Sequence, residues 1–150
     1  MKKRKIAALI ALLVLAAALL SSCHGTMDQN AAKEGFVSEI PLYLDETRKI
    51  ELTFWAKNDT NKEIRLYKNE TMTISVSGSA QIQSIVITAS TAASDANEHL
   101  CDQFAAGLPE GCTVSDDKIT ATWTGSAPSV TFTASGAQVR ISQVNVIYLP

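Results

Sequence analysis

Few residues in this chain could do chemistry. Cys101 and Cys112 flank a Gly107-Pro109 break, and His99 and Asp102 sit beside the first of them. Imidazole, thiolate and carboxylate are the donors a zinc-type ion takes, so His99, Cys101, Asp102 and Cys112 make the sharpest candidate. The spacing works against it, because residues two apart on a helix diverge by about 200°; no metal site is expected. The Cys-x10-Cys spacing also lacks the closeness of redox-active thiol motifs. There are two histidines. A Ser-His-Asp arrangement would have to use His99, and no nucleophile motif accompanies it. No glycine-rich phosphate loop is present. The acid pairs Asp45-Glu46 and Asp116-Asp117 fall in turn-like stretches, where carboxylates are usually solvated. A glycosidase pair meets in space rather than in sequence, so that reading stays open. No catalytic residue and no cofactor are assigned, and the chain reads as a non-enzyme.

The other candidate is Trp55. Lys49 to Ala56 alternates, placing Ile50, Leu52 and Phe54 on one face and Glu51, Thr53 and Trp55 on the other. The aliphatic face is the core face. Trp55 then lies on the polar face, beside a run that contains Asn58, Asp59 and Asn61. An indole can stack on a sugar ring while amides and a carboxylate bond its hydroxyls. The competing reading is that a loop or the N-terminal segment covers Trp55, and the sequence alone favours it.

The leader sets the compartment. Lys2 to Lys5 are basic, Ile6 to Leu20 form an uncharged apolar run, and Leu20-Ser21-Ser22-Cys23 follows. That is the plan of a secretory signal peptide over 1–22, with an apolar run shorter than the roughly 20 residues of a bilayer span. The ending resembles the lipobox of bacterial lipoproteins. The resemblance implies cleavage before Cys23, acylation of its thiol and attachment to a membrane. His24 and Gly25 bring no acidic retention signal, so the outer membrane is expected. Residues 23–35 read as a flexible tether and 36–150 as one domain. Removing four of the 13 basic residues leaves 9 against 15 acidic ones, a charge of −6. An acidic domain without a basic cluster argues against nucleic acid.

Export bears on the remaining cysteines. With Cys23 acylated, Cys101 and Cys112 are the pair left, and a disulfide is the default in an oxidising compartment. It would contribute about 3 kcal/mol. Leu100 and Phe104 are four apart, Ser94 or Asp95 can cap, and Gly107 and Pro109 terminate. The pattern predicts a helix near 95–106.

Elsewhere the period is two. Strands are expected at Ile64–Tyr67, Thr71–Ser77, Gln81–Ala89, Ile119–Thr124, around Val130–Ala134 and from Val139 onward, with turns at Lys68–Glu70, Gly78-Ser79 and Gly125–Pro128. Val139 and Ile141 are odd-numbered, whereas Val144, Val146 and Tyr148 are even. Alternation changes phase only with an extra residue, so a bulge is expected at Ser142-Gln143. Arg140 should project away from Val139 and Ile141, toward a carboxylate.

Arg65-Leu66-Tyr67, its turn and following strand, Thr122-Trp123-Thr124-Gly125-Ser126, and Gln138 to Val146 resemble a β-rich domain of secreted and surface proteins from anaerobic gut bacteria. The resemblance implies a jelly-roll-type sandwich and carries no activity. The expected fold is therefore all-β, one antiparallel jelly-roll-like β-sandwich with a short helical insert. Two functions compete: a lipid-anchored binding module for a glycan or other surface ligand, and a structural subunit that assembles with an envelope protein.

Overall fold

A computed structural model describes residues 26–27, 36–38, 42–44, 48–56 and 62–150. The expected leader over 1–22, Cys23, Asn58, Asp59 and Asn61 lie outside the described residues. The fold is an antiparallel β-sandwich. Its strands are β1 (Thr26–Met27), β2 (Phe36–Ser38), β3 (Leu42–Tyr43), β4 (Ile50–Ala56), β5 (Ile64–Leu66) and β6 (Thr71–Ser75). They continue with β7 (Gln81–Ala89), β8 (Cys112–Val114), β9 (Thr120–Ala127), β10 (Ser129–Thr133) and β11 (Val139–Leu149).

The smaller sheet has the order β1-β6-β10. The larger runs β2-β4-β11-β7-β9-β8, with β3 beside β2 on the same edge of β4 and β5 continuing the line of β4 along β11. Met72, Ile74, Val130 and Phe132 of the small sheet face Leu52, Ile85, Ile87, Trp123, Val144 and Val146 of the large one. These are the residues that strict alternation directs inward, and burying their apolar surface holds the layers together at roughly 25 cal/mol per Å².

The long strand β11 is the spine. Ile141 pairs with Ala89 and Gln143 with Thr88, so Ser142 is the extra residue. Its hydroxyl donates to the carbonyls of Thr88 and Ala89 at 3.1 and 3.3 Å. The expected phase slip is thus a real bulge, and both Ile141 and Val144 point into the core. The Lys68–Asn69 turn also forms. Glu70 N–H donates to the Tyr67 carbonyl, Tyr67 N–H donates to the Glu70 carboxylate, and Asn69 takes φ 69°.

Three expectations need correction. The insert is not an α-helix but two 3₁₀ segments, Ala96–Glu98 and Cys101–Gly107. Asp95 makes no side-chain cap, because Arg140 holds its carboxylate. Leu100 then takes an extended ψ of 178° between the segments. Leu100 and Phe104 are nevertheless both buried, and the Phe104 ring lies 5.7 Å from that of Phe132.

Secondly, Gly125 to Ala127 is strand rather than turn. Gly125 lies beneath an indole: a Cβ there would come within 2.6 Å of the Trp123 ring.

Thirdly, Cys101 and Cys112 are free thiols and not the expected disulfide. The Cys101 thiol donates instead toward the carbonyls of Ile119 and Ile87, at 3.3 and 3.8 Å, deep in the core. Cys112 sits on the edge strand β8, opposite Trp123.

Candidate functional site

Trp55 is exposed, at 45% of its surface. The covered alternative is therefore not what the structure shows. It stands near the end of β4, across from Gln143 of β11 and the backbone of Val37 in β2. Gln143 is the residue directly after the bulge, so the phase slip is what brings its amide to the outer face beside the indole. Further along the same face, Thr53 pairs with Asn145 and Glu51 with Ile147. The Asn145 amide donates to the Glu51 carboxylate at 2.6 Å and to the Thr53 hydroxyl at 3.0 Å. The result is one exposed indole on a strip of amides, a hydroxyl and a carboxylate. Of the predicted ligand set, the described residues keep Trp55; Gln143 and Asn145 join it. They were legible only with the bulge, which moves odd-numbered residues after Ser142 to the outer face.

The second constellation lies at the same end of the large sheet. Arg140 of β11 pairs directly with Arg65 of β5. Two guanidinium groups opposite each other repel, and acidic groups resolve the conflict. Glu63, two residues before Arg65 and so on the same side of the chain, offers one oxygen to Arg65 Nε at 2.9 Å and lies 3.7 Å from Arg140 Nε. Asp95 grips Arg140 with both oxygens, at 2.6 and 2.7 Å. Arg140 Nε donates to the Gln138 side-chain oxygen at 2.9 Å. The predicted carboxylate partner of Arg140 is thus Asp95, delivered by the insert.

The paired arginine holds the Asp95 carboxyl down at about 2. It is an anion throughout the neutral range, which suits a structural grip and not a general acid. The hydrogen bond to Glu63 raises Arg65 above its ordinary value. His99 Nε2 lies 3.4 Å from Asp95, while His99 Nδ1 has no hydrogen-bond partner among the described residues. A His-Asp pair is therefore present without a nucleophile bonded to the imidazole. The thiols do not fill that role. Burial pushes Cys101 up to about 12 and Cys112 up to about 11, so both are protonated at neutral pH. Asp102 pairs instead with Lys118 at 3.0 Å. Among the described residues no three His, Cys, Asp or Glu side chains converge as a metal-binding group.

No family model, curated protein or solved structure matches the chain. The functional reading therefore rests on the side chains themselves.

Proposed function

We propose that the protein is an exported, lipid-anchored lipoprotein of the cell envelope, acylated on Cys23, whose β-sandwich serves as a binding module for a glycan. The observation that carries the binding reading is the exposure of Trp55 on a face furnished with amide and carboxylate groups. A half-exposed indole presents an apolar face that can stack and a polar N–H at its edge, which suits a sugar ring. Stacking on one face of the indole supplies affinity, and the Gln143 amide and nearby polar groups read hydroxyl positions. The Arg140–Asp95 pair ties the insert to β11, three residues before Gln143.

The test is binding of the detergent-solubilised full-length protein to a glycan array, followed by titration of hits against tryptophan emission. The chain has two tryptophans. Trp123 is buried, and its Nε1 donates to the Glu110 carbonyl at 2.9 Å. A ligand-dependent emission change therefore reports Trp55. Covering an aromatic side chain is worth about 1.5–3 kcal/mol, so Trp55→Ala should weaken binding by roughly tenfold or more. An array without hits, or hits indifferent to Trp55→Ala, removes the glycan reading. Mass spectrometry of the N-terminal peptide tests the anchor separately. An unacylated Cys23 removes that part.

A further inference from the structure

Five large hydrophobic residues are exposed among the described residues. Tyr67 follows β5 at one end of the large sheet, and Trp55 lies midway along β11, opposite Gln143. Leu42, Leu44 and Leu149, exposed by 62%, 40% and 37%, lie at the other end. Strand register establishes this. Tyr148 pairs with Ile50, Tyr43 with the same Ile50, and Leu149 with Gln81 at the start of β7. Leu44 N–H donates to the Lys49 carbonyl at 3.0 Å. Arg48 and Lys49 stand in this same hairpin, with Arg48 exposed.

The chain also enters the domain at this end. Thr26, the first residue of β1, pairs with Ser75, the last of β6, whose following turn leads directly into Gln81. Cys23 is three residues before Thr26. A fully extended chain covers at most about 3.6 Å per residue, so Cys23 stays within roughly 11 Å of that strand end. Pairing of Thr26–Met27 consumes part of the stretch read as a tether.

We propose that the end of the sandwich bearing Leu42, Leu44 and Leu149 rests directly on the surface of a lipid bilayer. The inference builds on the lipid-anchor reading above and assigns the anchored domain an orientation. Exposed aliphatic groups enter the headgroup boundary; Arg48 and Lys49 are balanced in the hairpin sequence by Asp45 and Glu46, so apolar contact and the short tether carry the inference and net charge does not. The short connection to Cys23 holds this end within reach of the membrane. Trp55 lies on the same outer face, four residues further along β4 than Glu51, the partner of Leu42.

The experiment uses the full-length acylated protein in vesicles of phosphatidylethanolamine and phosphatidylglycerol with brominated acyl chains. One fluorophore is placed on Leu149→Cys and, in a second sample, on Lys68→Cys, in the turn at the opposite end. Cys101 is buried, and the half-buried Cys112 is replaced in both samples (Cys112→Ser), which leaves the introduced thiol to be labelled. Burial to about 5–10 Å in the interface predicts quenching roughly threefold greater at 149 than at 68. Leu42→Ser with Leu44→Ser should abolish the excess while the protein still floats with the vesicles. An acylated, vesicle-bound protein with equal quenching at both positions overturns the orientation and leaves the anchor standing. A 149 signal that follows protein concentration rather than brominated lipid shows that a second copy covers the patch, and likewise overturns it. A protein without acylated Cys23 that stays in the aqueous phase overturns both readings.

Discussion

Arg140→Met removes a guanidinium and leaves the aliphatic stem's volume largely filled. Arg140 is 6% exposed and Glu63 1%. The substitution deletes the two bonds to Asp95, the bond to Gln138 and the ion pair to Glu63. Asp95 can turn to water, because its side chain is half exposed. Glu63 cannot. One of its oxygens keeps Arg65, and the other already has no hydrogen-bond partner among the described residues. Breaking a buried pair from one side costs about 3–5 kcal/mol, most of it the stranded charge. The surviving Arg65 bond and relief of the Arg65–Arg140 repulsion place the expectation near the lower limit, about 3 kcal/mol. Against a total of roughly 5–15 kcal/mol that is a large fraction. With a urea slope of about 1–3 kcal/mol per molar, the midpoint should fall by 1–3 M. The assay is equilibrium urea unfolding of wild type, Arg140→Met, Glu63→Gln and the double variant. Glu63→Gln neutralises the stranded group, so it should cost less in the Arg140→Met background than alone, by about 1 kcal/mol or more. A cost for Arg140→Met below about 1 kcal/mol, typical of an exposed pair, would refute the reasoning. So would strict additivity of the two changes, because it would show that Arg140 does not hold the Glu63 charge.

Three further outcomes are expected. Asp95 has a folded value of about 2 against an ordinary 3.8. A depressed carboxyl adds stability that is whole above its unfolded value and disappears as pH falls toward the folded one. Asp95→Asn should therefore flatten the fall in thermal midpoint between pH 4 and 2, measured by calorimetry; Asp117, held low chiefly by the Ser115 hydroxyl, is unchanged in the variant and cancels. An unaltered acid limb would show that Arg140 does not depress Asp95. Ala105 takes φ 47° and ψ −123°, a conformation a Cβ disfavours. Ala105→Gly should raise stability by about 1 kcal/mol despite glycine's entropy cost, and a lower midpoint by chemical denaturation would count against strain there. Finally, iodoacetamide at pH 8 should leave Cys101 unmodified in the native protein, since its thiolate fraction is about 10⁻⁴, and modify both thiols in urea. Rapid native labelling of Cys101 would mean that the insert opens readily.

How far the sequence could lead depended on which interactions were local. Strand faces followed from alternation, and the bulge at Ser142 followed from a parity break, because both are properties of a few consecutive residues. The insert failed as an α-helix for a long-range reason. Its cap residue Asp95 was captured by an arginine 45 positions away, and tertiary contact overrode local capping. Gly125 misled in the same way. Its role is to pass under Trp123 and not to turn the chain. The free thiols belong here too, because Cys101 found backbone carbonyl partners that no spacing rule could indicate. For the site, Trp55 was legible and its exposure was not. The buried Glu63 was invisible in the sequence, where a single glutamate before a short strand carries no signal.

The two ends of the sandwich bear on each other. β11 spans the large sheet, from Arg140 near its start, past Gln143 opposite Trp55, to Leu149 at its finish. At its start it is fixed by charge: Arg140 side-chain bonds to Asp95 and Gln138, and backbone bonds with His99 and Ser90. At its finish it carries an exposed leucine beside the chain's point of entry. If the proposed glycan-binding and membrane-anchored reading holds, the binding face must be both rigid and accessible. The clasp around Arg140 provides rigidity, because it locks the insert to the strand that positions Gln143. On the proposed orientation, the leucines at the finish of β11 would provide direction. Disabling one should therefore leave the other intact. Arg140→Met should loosen ligand binding without changing the quenching pattern in vesicles, and Leu42→Ser with Leu44→Ser should change the pattern without weakening ligand binding in detergent. Loss of both properties from either change would mean that the ends are mechanically coupled through β11 and do not act as independent modules.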